Sequence, residues 1–281
     1  MLYPQQNDVR NLLDLSGFWD FKLDPDEVGE SQRWFDGLSD PRRIAVPGSW
    51  NEQFADAYNY LGMSWYVRTF YVPSGWEGQR ILIRVGSANY FARVWINGIA
   101  VGEHEGGHLP FAFDITEQVQ WGKSNTIAIE VENELKSARV PPGNMPGGLM
   151  ALMRGYPATS FDFFPYAGIH RPVILYAVPP AHIDGVTVTT EIQGDRGVVH
   201  VRVTEKGVIR EGAVSLEGEA TFVSADLTFQ NGVAEATLSV PDARLWSPDD
   251  PYLYTLTATL VDGEAVTDRY TLDVGIRTVE V

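Results

Sequence analysis

The sequence predicts an all-β chain of two antiparallel β-sandwiches, a jelly roll followed by an immunoglobulin-like domain. Three observations carry this. Short β-branched and aromatic runs dominate, as in ILIRVGSANYFARVWINGIAV. Turn dipeptides such as Asn97-Gly98 fall between such runs, where a two-residue hairpin needs positive φ. No amphipathic stretch long enough for a stable helix separates them, which argues against a parallel sheet.

A chain of 281 residues is long enough for about two cores. The boundary is read in VPPAHIDGVTV, where Pro179-Pro180 ends one strand and a fresh alternation (Val186, Val188, then Val199, Val201, Val203) begins. Residues 1–180 are too long for an immunoglobulin-like sandwich and suit a jelly roll, whereas 181–281 suit seven short strands. Further hairpins are expected at Asn231-Gly232 and Asp262-Gly263. Gln32–Leu38 reads as a short helix and Ile115–Val119 as a single turn. Lys136–Ser160 is rich in Gly, Pro and Met without a period, so it reads as a functional loop that packs against something outside this chain.

Composition excludes several classes. The net charge is −16, from 37 acidic and 21 basic residues, with no basic stripe to neutralise phosphates, so nucleic acid is not an expected partner. There is no cysteine, hence no disulfide framework and no thiolate chemistry. No apolar run approaches the ~20 residues of a membrane span, and MLYPQQNDVR lacks a basic-then-apolar leader. The expectation is a cytoplasmic protein with no membrane partner.

His104 and His108 stand four apart, but Gly106-Gly107 between them breaks a helix. On a strand they would lie about 13 Å apart, too far to share one ion, so no metal and no other cofactor is expected. No G-x-S-x-G elbow or glycine-rich phosphate loop occurs. Glycoside cleavage needs two carboxylates facing one bond, yet most acids here read as solvated turn residues: Asp24 and Asp26 beside Pro25, Asp249 and Asp250 in SPDDP, and Asp262. Asp162 differs, because it lies among Phe161, Phe163 and Phe164 and must be hydrogen-bonded, paired or functional. Pairing with Arg171 or His170, and acceptance of hydrogen bonds from sugar hydroxyls, both remain open. Trp65 and Tyr66 read as core, Arg68 as one half of a planar ion pair, and Trp246 as the plug of the second sandwich with Tyr252 and Tyr254 on the next strand.

The stretches LSGFWDFKLD, AVPGSWNEQFAD, NYLGMSWYVRTFYVP, VWINGIAVGEHEGGHLPFAFDIT, SFDFFPYAGIHRPVILY, LWSPDDPYLYTL and VGIRTVEV together resemble glycoside hydrolase family 2, in its β-glucuronidase-like branch. The resemblance covers nearly the whole chain in order and is weakest over Val203–Leu238. It implies a galactose-binding-like jelly roll over 1–180 and an immunoglobulin-like linker sandwich over 181–281. It further implies that both catalytic glutamates of a retaining mechanism belong to a (β/α)8 barrel with no counterpart here, so this chain alone is expected to be inactive and to shape the substrate entrance. By the same resemblance Asp162 binds the sugar, although Pro165 stands where the family pattern has Asn. The implied partners are a glucuronide-like carbohydrate and the barrel, and a homo-oligomer stays open. A free-standing carbohydrate-binding module, or a galactosidase- or galacturonidase-type member, is the alternative.

Overall fold

The computed structural model describes residues 1–134, 136, 139, 164, 166–209 and 211–278. The chain forms two compact units, Leu12–Ala177 and the pair of segments Met1–Asn11 and Val178–Val281. Among the described residues the longest α-helix is the four-residue Trp50–Gln53, and strands dominate both units.

The first unit contains β1 (Asn11–Asp14), β2 (Gly17–Asp24), β3 (Arg42–Val46), β4 (Gly48–Ser49), β5 (Met63–Val72), β6 (Arg80–Val85), β7 (Ala88–Asn89), β8 (Phe91–Ile96), β9 (Ile99–Glu105), β10 (Phe111–Asp114), β11 (Lys123–Glu132), β12 (Gly168–Ile169) and β13 (Val173–Val178). They build a four-stranded sheet β1-β13-β6-β10, a six-stranded sheet β3-β2-β5-β11-β8-β9 and a small sheet β4-β12-β7. The two large sheets enclose one apolar core. Period-two alternation sends Trp19 and Phe21, Tyr66 and Phe70, Ile81 and Ile83, and Ile127 and Ile129 into it. Burial raises the Tyr66 phenol well above its ordinary range.

The six-stranded sheet also carries a second, smaller core on its outer face. Trp65, Val67, Trp95 and Ala128 point outward and are covered by Trp34 and Phe35. Gln32–Leu38 reduces to one 3-10 turn, Trp34–Asp36, whose rings stack on the sheet: Phe35 lies 5.6 Å from Trp95 and Trp34 lies 6.4 Å from Trp65. Asp24, read as a solvated turn residue, is instead only 2% exposed. Its carboxylate accepts hydrogen bonds from Trp65 Nε1 (3.0 Å) and from the backbone N–H groups of Val28 (2.9 Å) and Gly29 (2.8 Å), folding the covering loop onto the sheet. A Cβ at Gly29 would fall 2.1 Å from Trp65 Nε1, so glycine alone fits there. Arg68 forms no ion pair among the described residues. Its guanidinium donates to the carbonyl oxygens of Leu15 and Ser16, which Gly17 (φ 120°) leaves within reach.

The second unit contains β14 (His182–Gln193), β15 (Arg196–Lys206), β16 (Glu211–Gly218), β17 (Thr221–Thr228), β18 (Val233–Val240), β19 (Tyr254–Asp262) and β20 (Ala265–Val274). Sheets β14-β15-β18 and β17-β16-β19-β20 form the sandwich around Val199, Val201, Leu216, Leu256 and Leu260. Asn231-Gly232 adopts positive φ at both residues (53° and 77°), as Asn97-Gly98 does in the first unit (50° and 80°). The third hairpin is displaced by one residue. Asp262 pairs with Ala265, so Gly263-Glu264 makes the turn with positive φ at Gly263 only, the sign pattern of a II′ turn. Trp246 does not plug this core. It is half-buried, packed over Gly275 (2.8 Å from an ideal Cβ there) and beneath the Arg277 guanidinium at 4.4 Å, while Tyr254 takes the buried place.

Candidate functional site

Asp162 and, apart from Lys136 and Arg139, the whole of 136–160 lie outside the described residues. The structure does describe what stands on the C-terminal side of Asp162. Gly168–Ile169 forms the middle strand of the small sheet, pairing with Ser49 and Gly48 on one side and with Asn89 and Ala88 on the other. Gly168 has φ 118°, and a Cβ there would lie 2.8 Å from the Gly48 carbonyl oxygen, so a side chain is excluded.

Two buried amides tie the preceding residues to this sheet. Asn51 Nδ2 donates to the carbonyl oxygens of Ala57 (3.3 Å) and Tyr58 (2.8 Å), while its Oδ1 accepts from Ala167 N (2.8 Å). Asn89 Nδ2 donates to the Tyr166 carbonyl oxygen at 3.0 Å. With the backbones of Tyr58 and Tyr166 so fixed, three rings stand in series. Tyr58 and Phe164 have centroids 4.9 Å apart, and Phe164 and Tyr166 4.7 Å. Tyr58 is 48% exposed and Tyr166 41% exposed. Exposed aromatic faces with phenolic hydroxyls offer both a stacking surface and hydrogen bonds.

The histidines separate. His104 stacks on Phe111 at 4.4 Å and its Nε2 faces the Gly106 carbonyl oxygen at 3.1 Å, whereas His108 meets the edge of Tyr90 at 6.4 Å. Among the described residues no three His, Cys, Asp or Glu side chains converge as metal ligands would. Burial lowers the His170 imidazole below its ordinary range, and its Nε2 has no hydrogen-bond partner among the described residues. Arg171 donates to the His108 carbonyl oxygen at 3.1 Å.

The root of the Gly/Pro/Met-rich stretch is an ionic cluster that the sequence reading missed. Arg139 is 5% exposed and bridges Glu132 (2.8 Å) and Glu105 (2.6 Å), donating also to the Glu134 carbonyl oxygen, while Lys136 reaches Glu132 at 2.6 Å. Burial drives the Glu132 carboxyl upward, but its bonds to Arg139 and Lys136 outweigh that and hold it below the usual carboxylate range. Among the described residues its strand neighbour Glu130 has no such partner. Burial first, with Arg93 opposing and Glu30, Asp24 and Glu132 adding, pushes it up to about 7. The signal available in sequence was the close succession of Lys136 and Arg139 after the alternating Glu130, Glu132 and Glu134.

The chain belongs to glycosyl hydrolases family 2. The family's sugar binding domain matches residues 12–179, and a second family 2 domain matches 181–277. Within the family it is similar to beta-glucuronidases. It is 38% identical to that of Paenibacillus borealis over 291 residues, covering 100% of this chain and 48% of the relative. It is 39% identical to that of Mus musculus over 308 residues, covering 100% and 46%. The solved structure of b-glucuronidase from Ruminococcus gnavus in complex with D-glucuronic acid superimposes with a TM-score of 0.91 at 32% identity, over 99% of this chain and 48% of that one. The chain thus spans about half the length of the curated relatives it matches.

Proposed function

We propose that this chain is the sugar-binding and scaffolding portion of a β-glucuronidase-like glycoside hydrolase. In this reading 1–180 shapes the substrate entrance and 181–281 links it to a catalytic (β/α)8 barrel that supplies both glutamates. The observation that carries it is similarity over the whole of this chain to beta-glucuronidases at 38–39% identity. Asp162 is the residue assigned to the sugar hydroxyls. Tyr166 follows Asp162 by four residues, and its exposed ring, in series with Phe164 and Tyr58, supports a sugar-facing surface there. No described helix is long and apolar enough to cross a membrane.

The test compares a chromogenic glucuronide, galacturonide and galactoside on the 281-residue chain and on a longer protein carrying a barrel. Expected are no turnover by the chain alone and glucuronide turnover by the longer protein, reduced at least tenfold by Asp162→Asn. Turnover by the highly purified 281-residue chain, or galactoside preference in the longer protein, overturns the reading.

A further inference from the structure

Asparagine precedes glycine at two places in the chain, Asn97-Gly98 and Asn231-Gly232. Glycine has no Cβ to shield its own backbone nitrogen, so the pair is open to a covalent reaction that needs only water. The glycine nitrogen attacks the side-chain carbonyl carbon of the asparagine, and its proton leaves with the amide group as ammonia. A five-membered imide remains. Water then adds to either imide carbonyl and opens the ring, giving aspartate or isoaspartate in place of the asparagine.

The backbone treats the two places alike. Each pair fills a two-residue turn, between Ile96 and Ile99 or between Gln230 and Val233, with positive φ at both residues. In that left-handed conformation the asparagine Cβ stands away from the next nitrogen, so the imide forms only when the turn opens. What opening breaks differs between them. Asn97 Nδ2 donates to the Gln118 carbonyl oxygen at 2.8 Å and to Asn125 Oδ1 at 2.7 Å, and its Oδ1 accepts from Thr126 N at 2.9 Å. Asn125 is 1% exposed and is itself tied to the backbones of Gln120 and Lys123. Closing the imide at Asn97 therefore costs three amide hydrogen bonds around a buried partner. Asn231 is exposed, and its amide bonds to no described residue. Opening there breaks only backbone bonds, those between Gln230 and Val233 and the one from Glu205 N to the Gly232 carbonyl oxygen at 2.9 Å.

We infer that Asn231 is a deamidation site of this protein, while Asn97 is held unreactive by its bonds to Gln118, Asn125 and Thr126. Water is the co-reactant and ammonia the leaving group. The inference is independent of the β-glucuronidase reading. Conversion adds one carboxylate to a chain of net charge −16, at a turn that Glu205 already borders, its Oε1 lying 3.8 Å from an ideal Cβ at Gly232. The modified form is therefore more acidic and separates from the parent by anion exchange.

The 281-residue chain is incubated at pH 8 and 37 °C, folded in buffer and unfolded in guanidinium chloride, and then digested with trypsin. Cleavage after Arg93, Lys123, Arg210 and Arg244 puts the two asparagines on separate peptides, 94–123 and 211–244. Mass spectrometry follows amide-to-acid conversion, and isoaspartyl methyltransferase labels isoaspartate. Expected in the folded chain is conversion at Asn231 at least about tenfold faster than at Asn97, with isoaspartate among the products. In guanidinium chloride the two rates are expected to converge, because the dipeptide is the same. Asn231→Ser is expected to remove the acidic form seen by anion exchange. Three results overturn the inference: conversion at Asn231 no faster than at Asn97 in the folded chain, a difference that persists unchanged on unfolding, or aspartate without isoaspartate at residue 231, which would mean direct hydrolysis without the imide.

Discussion

Arg10 and Asp268 stand 258 residues apart in the chain and meet as a bidentate ion pair, Nε to Oδ1 at 2.8 Å and Nη2 to Oδ2 at 2.6 Å. Both are buried, at 3% and 0% exposure. The pair is closed by the Ile183 backbone, whose N–H donates to Asp268 Oδ2 and whose carbonyl oxygen accepts from Arg10. Gln5 and Asn7 hydrogen-bond along Thr271 and Arg269 of the same strand, so the N-terminal segment is stitched to the second sandwich. Removing one member leaves an uncompensated buried charge. Asp268→Ala is expected to destabilise the Met1–Asn11 plus Val178–Val281 unit by about 3–5 kcal/mol. Arg10→Met combined with Asp268→Leu should cost clearly less. Urea unfolding followed by far-UV circular dichroism checks both.

Gly29→Ala tests the covering loop. The added methyl would collide with Trp65 Nε1, and relieving it must break the Asp24–Trp65 hydrogen bond or move the loop. A loss of about 1–3 kcal/mol is expected, with a red shift of tryptophan emission as water reaches Trp65. Unchanged emission would mean the loop absorbs the methyl without lifting.

Glu130→Gln tests the buried carboxyl of β11. The folded protein holds this proton up to about pH 7, whereas the unfolded chain releases it near 4.5. Between those values the folded state binds more protons, so stability falls as pH rises through the window. The glutamine variant should match the parent at pH 4 and exceed it by about 1–3 kcal/mol at pH 8. Thermal melts at the two pH values decide it, and an equal effect at both would contradict the burial argument.

Arg139→Ala takes the guanidinium partner from buried Glu132 and leaves it only the ammonium of Lys136 among the described residues. A cost of about 2–4 kcal/mol is expected at pH 7, shrinking toward pH 3 as Glu132 takes up a proton. Arg139→Lys should recover little, because one ammonium cannot span Glu132 and Glu105 as the planar fork does. Denaturant titrations at the two pH values separate these outcomes.

Much of the fold was legible because its signals are local. Asn97-Gly98 and Asn231-Gly232 need positive φ whatever surrounds them, and Tyr66, Ile127 and Ile129 alternate as a covered strand must. Asp24 was misread because a carboxylate beside Pro25 and Asp26 looks solvated, and nothing local announces that Trp65, Val28 and Gly29 will surround it. Trp246 was misread for the converse reason. Its place over Gly275 depends on a backbone without a Cβ 29 residues away. Arg10 pairs with a carboxylate that only tertiary folding brings near, as Arg139 does with Glu105. The candidate site was legible only through motif likeness, since the rings of Tyr58 and Tyr166 come together through Asn51 and Asn89, which look like ordinary turn residues in sequence.

The outer cluster has a spectroscopic consequence. Of the eight tryptophans, Trp34, Trp65 and Trp95 sit in that cluster, Trp19 and Trp50 in the main core, and Trp246 alone lies in the second unit. Intrinsic emission is therefore almost entirely a voice of the first sandwich, and Trp246→Phe would make it wholly so. Backbone signals report both sandwiches, so any part of a far-UV melt that tryptophan emission does not follow would belong to the second, and the two halves of one chain could be melted together and read apart.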